Sequence, residues 1–536
     1  MLKNKYILLG IFLLSWVLSI ALGLFYISPN SDDIFYALPA LGFANNGELG
    51  IPYLNGETWK ILFNFPTYSL LQGLVFTVIQ FLEFKITFMS YRLSHSLFVI
   101  FFILISSLFI LKNAKKNKLE FFFPSILFLG LLGLIPFSMT WIIFRPEVTG
   151  LLFFITGFWL LNSAFNKKNI HIYIIFGSLF IGFTPTLHPL FSIISFFSIL
   201  GFIIHFLKNK ELFKSFLISI FSIIPILILV TYFLLSDGYI EVIKGQIPLT
   251  TNGHRAIFGL IFRLLDFDIN WTVGVLKIYY LIYLSIIFLA VATIIISIKN
   301  YFINTLLFTR YRINILILIL SCLFTLIISF DLIYIHATIS VLLLFAIISL
   351  HQEKINIYFM NTKKLFKFFI LILLFLFPFS WSSINFAKYN LKENNYLSSW
   401  DLINELESFS NRKINTFVVA HQLAPLVIEK LGKPDNYNAY WLFPSVGQIY
   451  RPKNEIERIN KILNQKVYNQ SAFWILRSKD ETQGYSVLDD RSFCIDVPLS
   501  TQKNNSPIKI KVLDPQIIYK SFKYTVVKGR KSLKGC

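Results

Sequence analysis

The sequence predicts a polytopic α-helical membrane protein of about eleven spans, followed by a C-terminal extracytoplasmic domain of α/β or α+β type. Three observations carry that expectation. The chain of 536 residues is 55% hydrophobic and only 14% charged, and its apolar runs recur at bilayer-crossing length. Basic residues cluster in the short connections between those runs, where Lys and Arg set orientation, so the net charge of +21 points to topology and not to nucleic acid. After Trp381 the composition shifts abruptly, and Lys, Asp, Asn and Glu return at the frequency of a soluble domain.

Taken in order, the apolar run from Tyr6 to Tyr26 is too long for a signal-peptide core and has no small-residue cleavage site, so it is expected to stay as the first span. Further spans are expected near 91–111, 119–137, 147–165, 170–187, 189–207, 215–235, 276–298, 313–330, 332–350 and 366–385. The basic clusters are Lys3 with Lys5, Lys112 to Lys118, Lys167-Lys168, Lys208 to Lys214, Lys299 to Arg312 and Lys354 to Lys367. They share one side only if the stretch from Ile61 to Leu82 does not cross. That stretch is interrupted by Asn64, Pro66, Thr67, Gln72, Gly73 and Gln80, each costly against lipid tails, so a re-entrant or interfacial path is expected. Loops 28–60, 138–146 and 236–275 then lie outside with the tail. The domains expected are a membrane domain over 1–385, with interfacial helices in the outer loop 28–90, and a soluble domain over 386–536.

Within the tail, Trp400 to Phe409 has helical spacing and Ile414 to Ala420 reads as a strand. Helices are expected at Ala424 to Leu431 and Glu455 to Leu463, and strands at Phe473 to Leu476 and Ile508 to Val512. His421 to Pro425 and Asn438 to Trp441 either contact glycan or simply pack, since aromatic residues serve both ends. Cys494 and Cys536 can pair if the tail is extracytoplasmic, with no spacing that requires it.

Asp32-Asp33 follows the first span in Ser28-Pro29-Asn30-Ser31-Asp32-Asp33-Ile34-Phe35-Tyr36. Ser31 or Asp32 can cap a helix running to about Ala44, closed by Asn45-Asn46-Gly47, and acids in a first turn offset unsatisfied backbone donors. Structural capping and chemistry both fit. Ile34, Phe35, Leu38 and Leu41 suggest a helix lying on the membrane surface, bent by Pro39.

The order of features is an N-terminal span, acid-acid-x-x-Tyr on that helix, and a loop Asn46-Gly47-Glu48-Leu49-Gly50-Ile51-Pro52-Tyr53. A non-crossing segment with Phe65-Pro66-x-Tyr68 follows, and Arg92-Leu93 opens the next span. This order resembles the GT-C membrane glycosyltransferases, the superfamily of protein mannosyltransferases and aminoarabinose transferases, over roughly the first 200 residues. The sequence departs from the common Pro-Asp-Glu form, so the resemblance does not choose between Asp32 and Asp33.

The resemblance implies an enzyme that moves a sugar from a polyprenyl-phosphate donor to an extracytoplasmic acceptor with inversion. It implies that Asp32 or Asp33 acts as base toward the acceptor hydroxyl, or orients it. The family often carries a second acid in the loop that holds Arg145-Pro146-Glu147, which makes Glu147 the next candidate, with an ion pair to Arg145 as its plain alternative. Cations for the leaving lipid phosphate are supplied by Arg92, Arg145 and His188, and by Lys244, His254, Arg255 and Arg263 in the longest outer loop. His188, in the Pro-broken turn Thr184 to Pro189, serves equally as a structural residue, and Asp331 and His336 either line a cavity or mark a turn. The cofactor stays open. A divalent metal ion, if one is used, would draw on Asp33, Glu147 and His188, which come from separate loops without ligand spacing.

Neither a Walker loop nor a dinucleotide glycine motif occurs, which suits a lipid-linked donor. The partners expected are that donor, an acceptor outside the cell and membrane lipid, with no nucleic acid. Two other classes compete: a transporter or flippase of lipid-linked glycans, and a non-catalytic scaffold with a glycan-binding tail. A transporter places ionisable groups near the midplane, whereas here the span interiors are almost free of charge and the acids and bases gather at the outer edge.

Overall fold

The computed structural model describes residues 31–47, 49, 51–54, 57–59, 66–113, 146–164, 170–188, 191–235, 416–420, 438–442, 471–477, 492–497, 508–520 and 524–532, with isolated positions elsewhere. The expected spans at 6–26, 119–137, 276–298, 313–330, 332–350 and 366–385 lie essentially outside that set, as do the tail helices at 424–431 and 455–463.

The chain divides into two compact units. The first comprises Met1–Gly23, His95–Asp237 and Leu249–Ser383; the second comprises Leu24–Ser94, Gly238–Pro248 and Ile384–Cys536.

In the first unit, α4 (Pro146–Ala164), α5 (Ile170–Leu187), α6 (Phe191–Lys208) and α7 (Leu212–Leu235) follow the spans expected from apolar run lengths. Pro146 opens α4 at the helical position where a missing N–H costs nothing. α6 ends where Lys210, at φ 58°, reverses the chain, with Lys210 N–H donating to Leu207 O and Glu211 N–H to Phe206 O. α4 is central and α7 peripheral: 72% of the apolar window of α4 is buried, against 22% for α7, whose Ile223, Leu227 and Ile228 point outward as residues meeting lipid do. Including the helix that crosses from the second unit, four described helices are long and apolar enough to cross a membrane, and the molecule is an integral membrane protein.

In the second unit, α1 (Ser31–Asn46) ends at Gly47, whose φ of 74° needs a residue without Cβ, and Gly47 N–H donates to Phe43 O. The described part of this helix begins at Ser31, with Asp32 and Asp33 among its first residues. A one-sided surface helix is not what forms. Tyr36 through Gly42 are buried on every side for two turns, because α2 (Pro66–Phe81) covers the face expected to be solvated. The Tyr36 and Tyr68 rings meet edge to face at 5.4 Å, Ser69 Oγ donates to Tyr36 O, and Gln80 Nε2 donates to Asn45 Oδ1 at 2.7 Å. α2 has 16 residues, about 24 Å at the rise of an α-helix and short of the roughly 30 Å hydrocarbon core.

Between α1 and α2 lies a hairpin absent from the sequence reading, β1 (Ile51–Leu54) against β2 (Glu57–Trp59). Its signal was present. The two residues between the strands are Asn55-Gly56, the pair best suited to a two-residue hairpin turn. α3 (Phe88–Asn113) opens on a reciprocal cap, Thr87 N–H to Ser90 Oγ and Ser90 N–H to Thr87 Oγ1.

The tail builds one six-stranded mixed sheet in the order β4-β3-β5-β8-β7-β6. Its strands are β3 (Thr416–Ala420), β4 (Asn438–Leu442), β5 (Ser471–Arg477), β6 (Ser492–Val497), β7 (Ile508–Lys520) and β8 (Tyr524–Lys531). β3 runs parallel to β4 and β5, and the remaining pairs are antiparallel, so parallel and antiparallel parts share one sheet. β3, β5 and the start of β7 fall where expected; β4, β6 and β8 were not expected as strands. Trp474 anchors the core, fully buried with Nε1–H donating to Gly529 O. β1 lies against the edge strand β4 within this unit, which joins the hairpin after α1 to the sheet.

Candidate functional site

Two polar constellations stand out, one in each unit. In the first unit, the N-terminus of α4, the C-terminal end of α5 and the start of α6 converge. Glu147 is the second residue of α4 and 1% exposed; His188 directly follows α5 and is 4% exposed. Their Nε2 and Oε1 atoms are 3.9 Å apart, an ion pair when the imidazole is protonated. The helix ends favour it from both sides: a carboxylate at a helix N-terminus and a cation at a C-terminus each meet a complementary partial charge.

The turn that places His188 is tied by its own hydroxyls. His188 N–H donates to Thr184 O, Phe191 N–H donates to His188 O, and the Thr184 hydroxyl bonds both Ile181 O and the Ser195 hydroxyl. Gly150 lets α6 approach α4: a Cβ there would run into the Phe191 ring at Cε2. Thr149 Oγ1, beside them, is buried with no hydrogen-bond partner among the described residues. Thr149, Thr184 and Ser195 were not anticipated, because lone hydroxyls in apolar spans usually bond their own helix.

In the second unit, Asp32 and Asp33 lie in the first turn of α1 on a helix anchored by the buried contact with α2. Arg92 is fully buried near the start of α3, next to Tyr91, whose ring meets Phe76 of α2 at 5.1 Å. Gln72 of α2 is also fully buried, and among the described residues neither of its amide atoms has a hydrogen-bond partner. In the sequence Gln72 only interrupts the apolar run from Ile61 to Leu82, and His95, three residues after Arg92 on the same helix, is also buried without having stood out as a candidate. An Arg, a His and several Ser at that spacing in an apolar helix were the available signal.

The structure thus brings together Glu147 and His188 among the sequence-predicted residues. Arg145, Lys244, His254, Arg255 and Arg263 lie outside the described residues, as do Asp331, His336 and Cys536. Cys322 is buried in the first unit. Among the described residues, three or more His, Cys, Asp or Glu do not group in a way that would hold a metal ion; Glu147 and His188 supply two donors of suitable type.

No family model matches the sequence, and no curated protein is similar to it at sequence level. Solved structures are similar over the whole chain. ArnT from Cupriavidus metallidurans in the apo state aligns with a TM-score of 0.55 and 10% identity over 98% of each chain. The same protein bound to undecaprenyl phosphate aligns with a TM-score of 0.50 and 9% identity, over 98% of this chain and 97% of that one. The archaeal oligosaccharyltransferase AglB from Archaeoglobus fulgidus gives a TM-score of 0.45 and 11% identity, over 88% of this chain and 69% of its own. At these identities the likeness speaks to fold alone, and the chain has the fold of ArnT.

Proposed function

We propose that the protein is an inverting glycosyltransferase that moves a sugar from a polyprenyl-phosphate donor to an acceptor on the extracytoplasmic side. The observation that carries this reading is the ArnT likeness across nearly the full length of both chains, where that neighbour holds undecaprenyl phosphate. The placement of Asp32 and Asp33 in the first turn of a packed helix supports it, since a base must be held in position to act.

In the proposed reaction, the acceptor hydroxyl oxygen attacks the anomeric carbon and its proton passes to the carboxylate of Asp32 or Asp33. The bond from the anomeric carbon to the phosphate oxygen breaks, and the lipid phosphate leaves with the electron pair. Consecutive helical residues are rotated by about 100° from each other, so the two acids take different roles, one on the hydroxyl and the other on the acceptor, the helix terminus or a divalent ion. Glu147 is proposed as a further acid, and Arg92, Arg145, His188, Lys244, His254, Arg255 and Arg263 are proposed as partners of the phosphate. Loops 28–60 and 236–275 and the tail lie outside in this reading.

The test is reconstitution with polyprenyl-phosphate sugars and measurement of released lipid phosphate. A transporter would move the lipid without cleaving it. At least one of Asp32→Asn and Asp33→Asn should lower transfer by roughly 10²- to 10⁴-fold while the protein stays inserted and folded. Full transfer in both variants sinks the base assignment. Labelling of a cysteine placed at position 33 from outside the cell checks the topology separately.

A further inference from the structure

In the first unit, α6 and α7 are joined by the turn Asn209-Lys210-Glu211, at the level where an apolar crossing ends. α6 has 18 residues, about 27 Å at the α-helical rise, so Lys208 at its last position stands near the edge of a hydrocarbon core of roughly 30 Å. The turn is pinned along its length. Asn209 donates to His205 O through both its N–H and its Nδ2, Glu211 N–H donates to Phe206 O, and Lys210 N–H donates to Leu207 O. On the far side, Glu211 O accepts from the N–H groups of Lys214 and Ser215, which starts α7.

Four charged side chains lie in this stretch: Lys208, Lys210, Glu211 and Lys214. The acid is taken, since Glu211 Oε1 is 2.7 Å from Lys214 Nζ. Lys208 and Lys210 are exposed, and among the described residues neither meets a carboxylate. Nor are they needed as caps. The carbonyls of His205, Phe206 and Leu207 at the end of α6 already accept from the turn's own donors. Large apolar side chains flank the two lysines along the chain: Leu207 on one side, and Leu212 and Phe213 on the other, 69% and 62% exposed. The Phe213 ring is met by His171 of α5 at 5.7 Å.

Two uncompensated ammoniums on a fixed turn, set between exposed apolar side chains at the end of a span, fit a molecule that carries both a phosphate and acyl chains. A zwitterionic headgroup brings its own cation to its phosphate, whereas an anionic one leaves the phosphate to the lysines. We propose that the α6–α7 turn binds an anionic phospholipid of the surrounding bilayer, with Lys208 and Lys210 on the headgroup phosphate and the acyl chains against Leu207, Leu212 and Phe213. A soluble polyanion read by charge alone would not call for those apolar neighbours. The inference does not depend on the transferase reading.

The test uses the full chain in phosphatidylcholine nanodiscs that carry a small fraction of photoactivatable lipid, either phosphatidylglycerol or phosphatidylcholine. Crosslinked peptides are mapped by mass spectrometry. Peptides covering 205–216 should be labelled by phosphatidylglycerol over phosphatidylcholine by more than about fivefold, the preference expected of a single lysine near an anionic headgroup. Lys208→Gln and Lys210→Gln should each lower that preference by about fivefold, as should high salt. Lys210→Gly separates binding from folding. Lys210 sits at φ 58°, which glycine adopts freely, so this variant keeps the turn and should lose the preference as Lys210→Gln does. Equal labelling by the two lipids, or a preference that survives loss of both lysines, would overturn the proposal. So would labelling that a soluble acidic polypeptide removes and unlabelled phosphatidylglycerol does not.

Discussion

Glu147 and His188 lie 41 positions apart in sequence, and nothing in their spacing announces that they meet. They meet because α4 and α5 run against each other, which brings the first turn of one beside the end of the other. Both are nearly inaccessible, so removing one partner strands the other in a low-dielectric setting. Glu147→Gln and His188→Gln should each lower thermal stability in detergent. The double variant should lose less than the sum, with a coupling of about 0.5–3 kcal/mol. Additive losses would show that the two residues do not interact. The acids at 32 and 33 illustrate the opposite case. Their type and order are legible in the sequence, and the described helix Ser31–Asn46 carries both of them.

At the scale of elements, run length predicted α3 to α7 well, because a bilayer sets both the length and the apolarity of a span. α1 was legible in extent but not in environment. Its apolar residues do not form one stripe, and the burial of Tyr36 through Gly42 follows from α2, a separate segment. The strands β4, β6 and β8 escape a reading of the sequence because short mixed runs such as Asn438–Leu442 read equally as loop. The contact between α4 and α6 gives a direct test. Gly150→Ala would drive a methyl into the fully buried Phe191 ring, costing about 1–3 kcal/mol. A second substitution, Phe191→Leu, should recover part of the loss in melting temperature. Equal stability of Gly150→Ala and the parent would place the two helices farther apart than described.

For the whole molecule, the sequence suggests a cut after residue 385, between membrane domain and tail. The second compact unit joins Leu24–Ser94 with Ile384–Cys536, and within it β1 lies against β4. Deleting the tail after Ser383 should therefore loosen the hairpin and the acid-bearing helix before it. Limited proteolysis should then cut within 31–59 faster than in the full chain; an unchanged cleavage pattern would mean that α1 and α2 hold this segment alone. What the sequence determined by itself is the solvent and the inventory: apolar runs of fixed length select a bilayer, basic loops fix their parity, and the conspicuous acids lie between runs. Tertiary structure decided which of those groups face one another. A helix pair brings together Glu147 and His188, and an edge strand reached through a long chain excursion comes to rest beside the loop after α1. Such encounters depend on packing between distant segments, which local periodicity does not record.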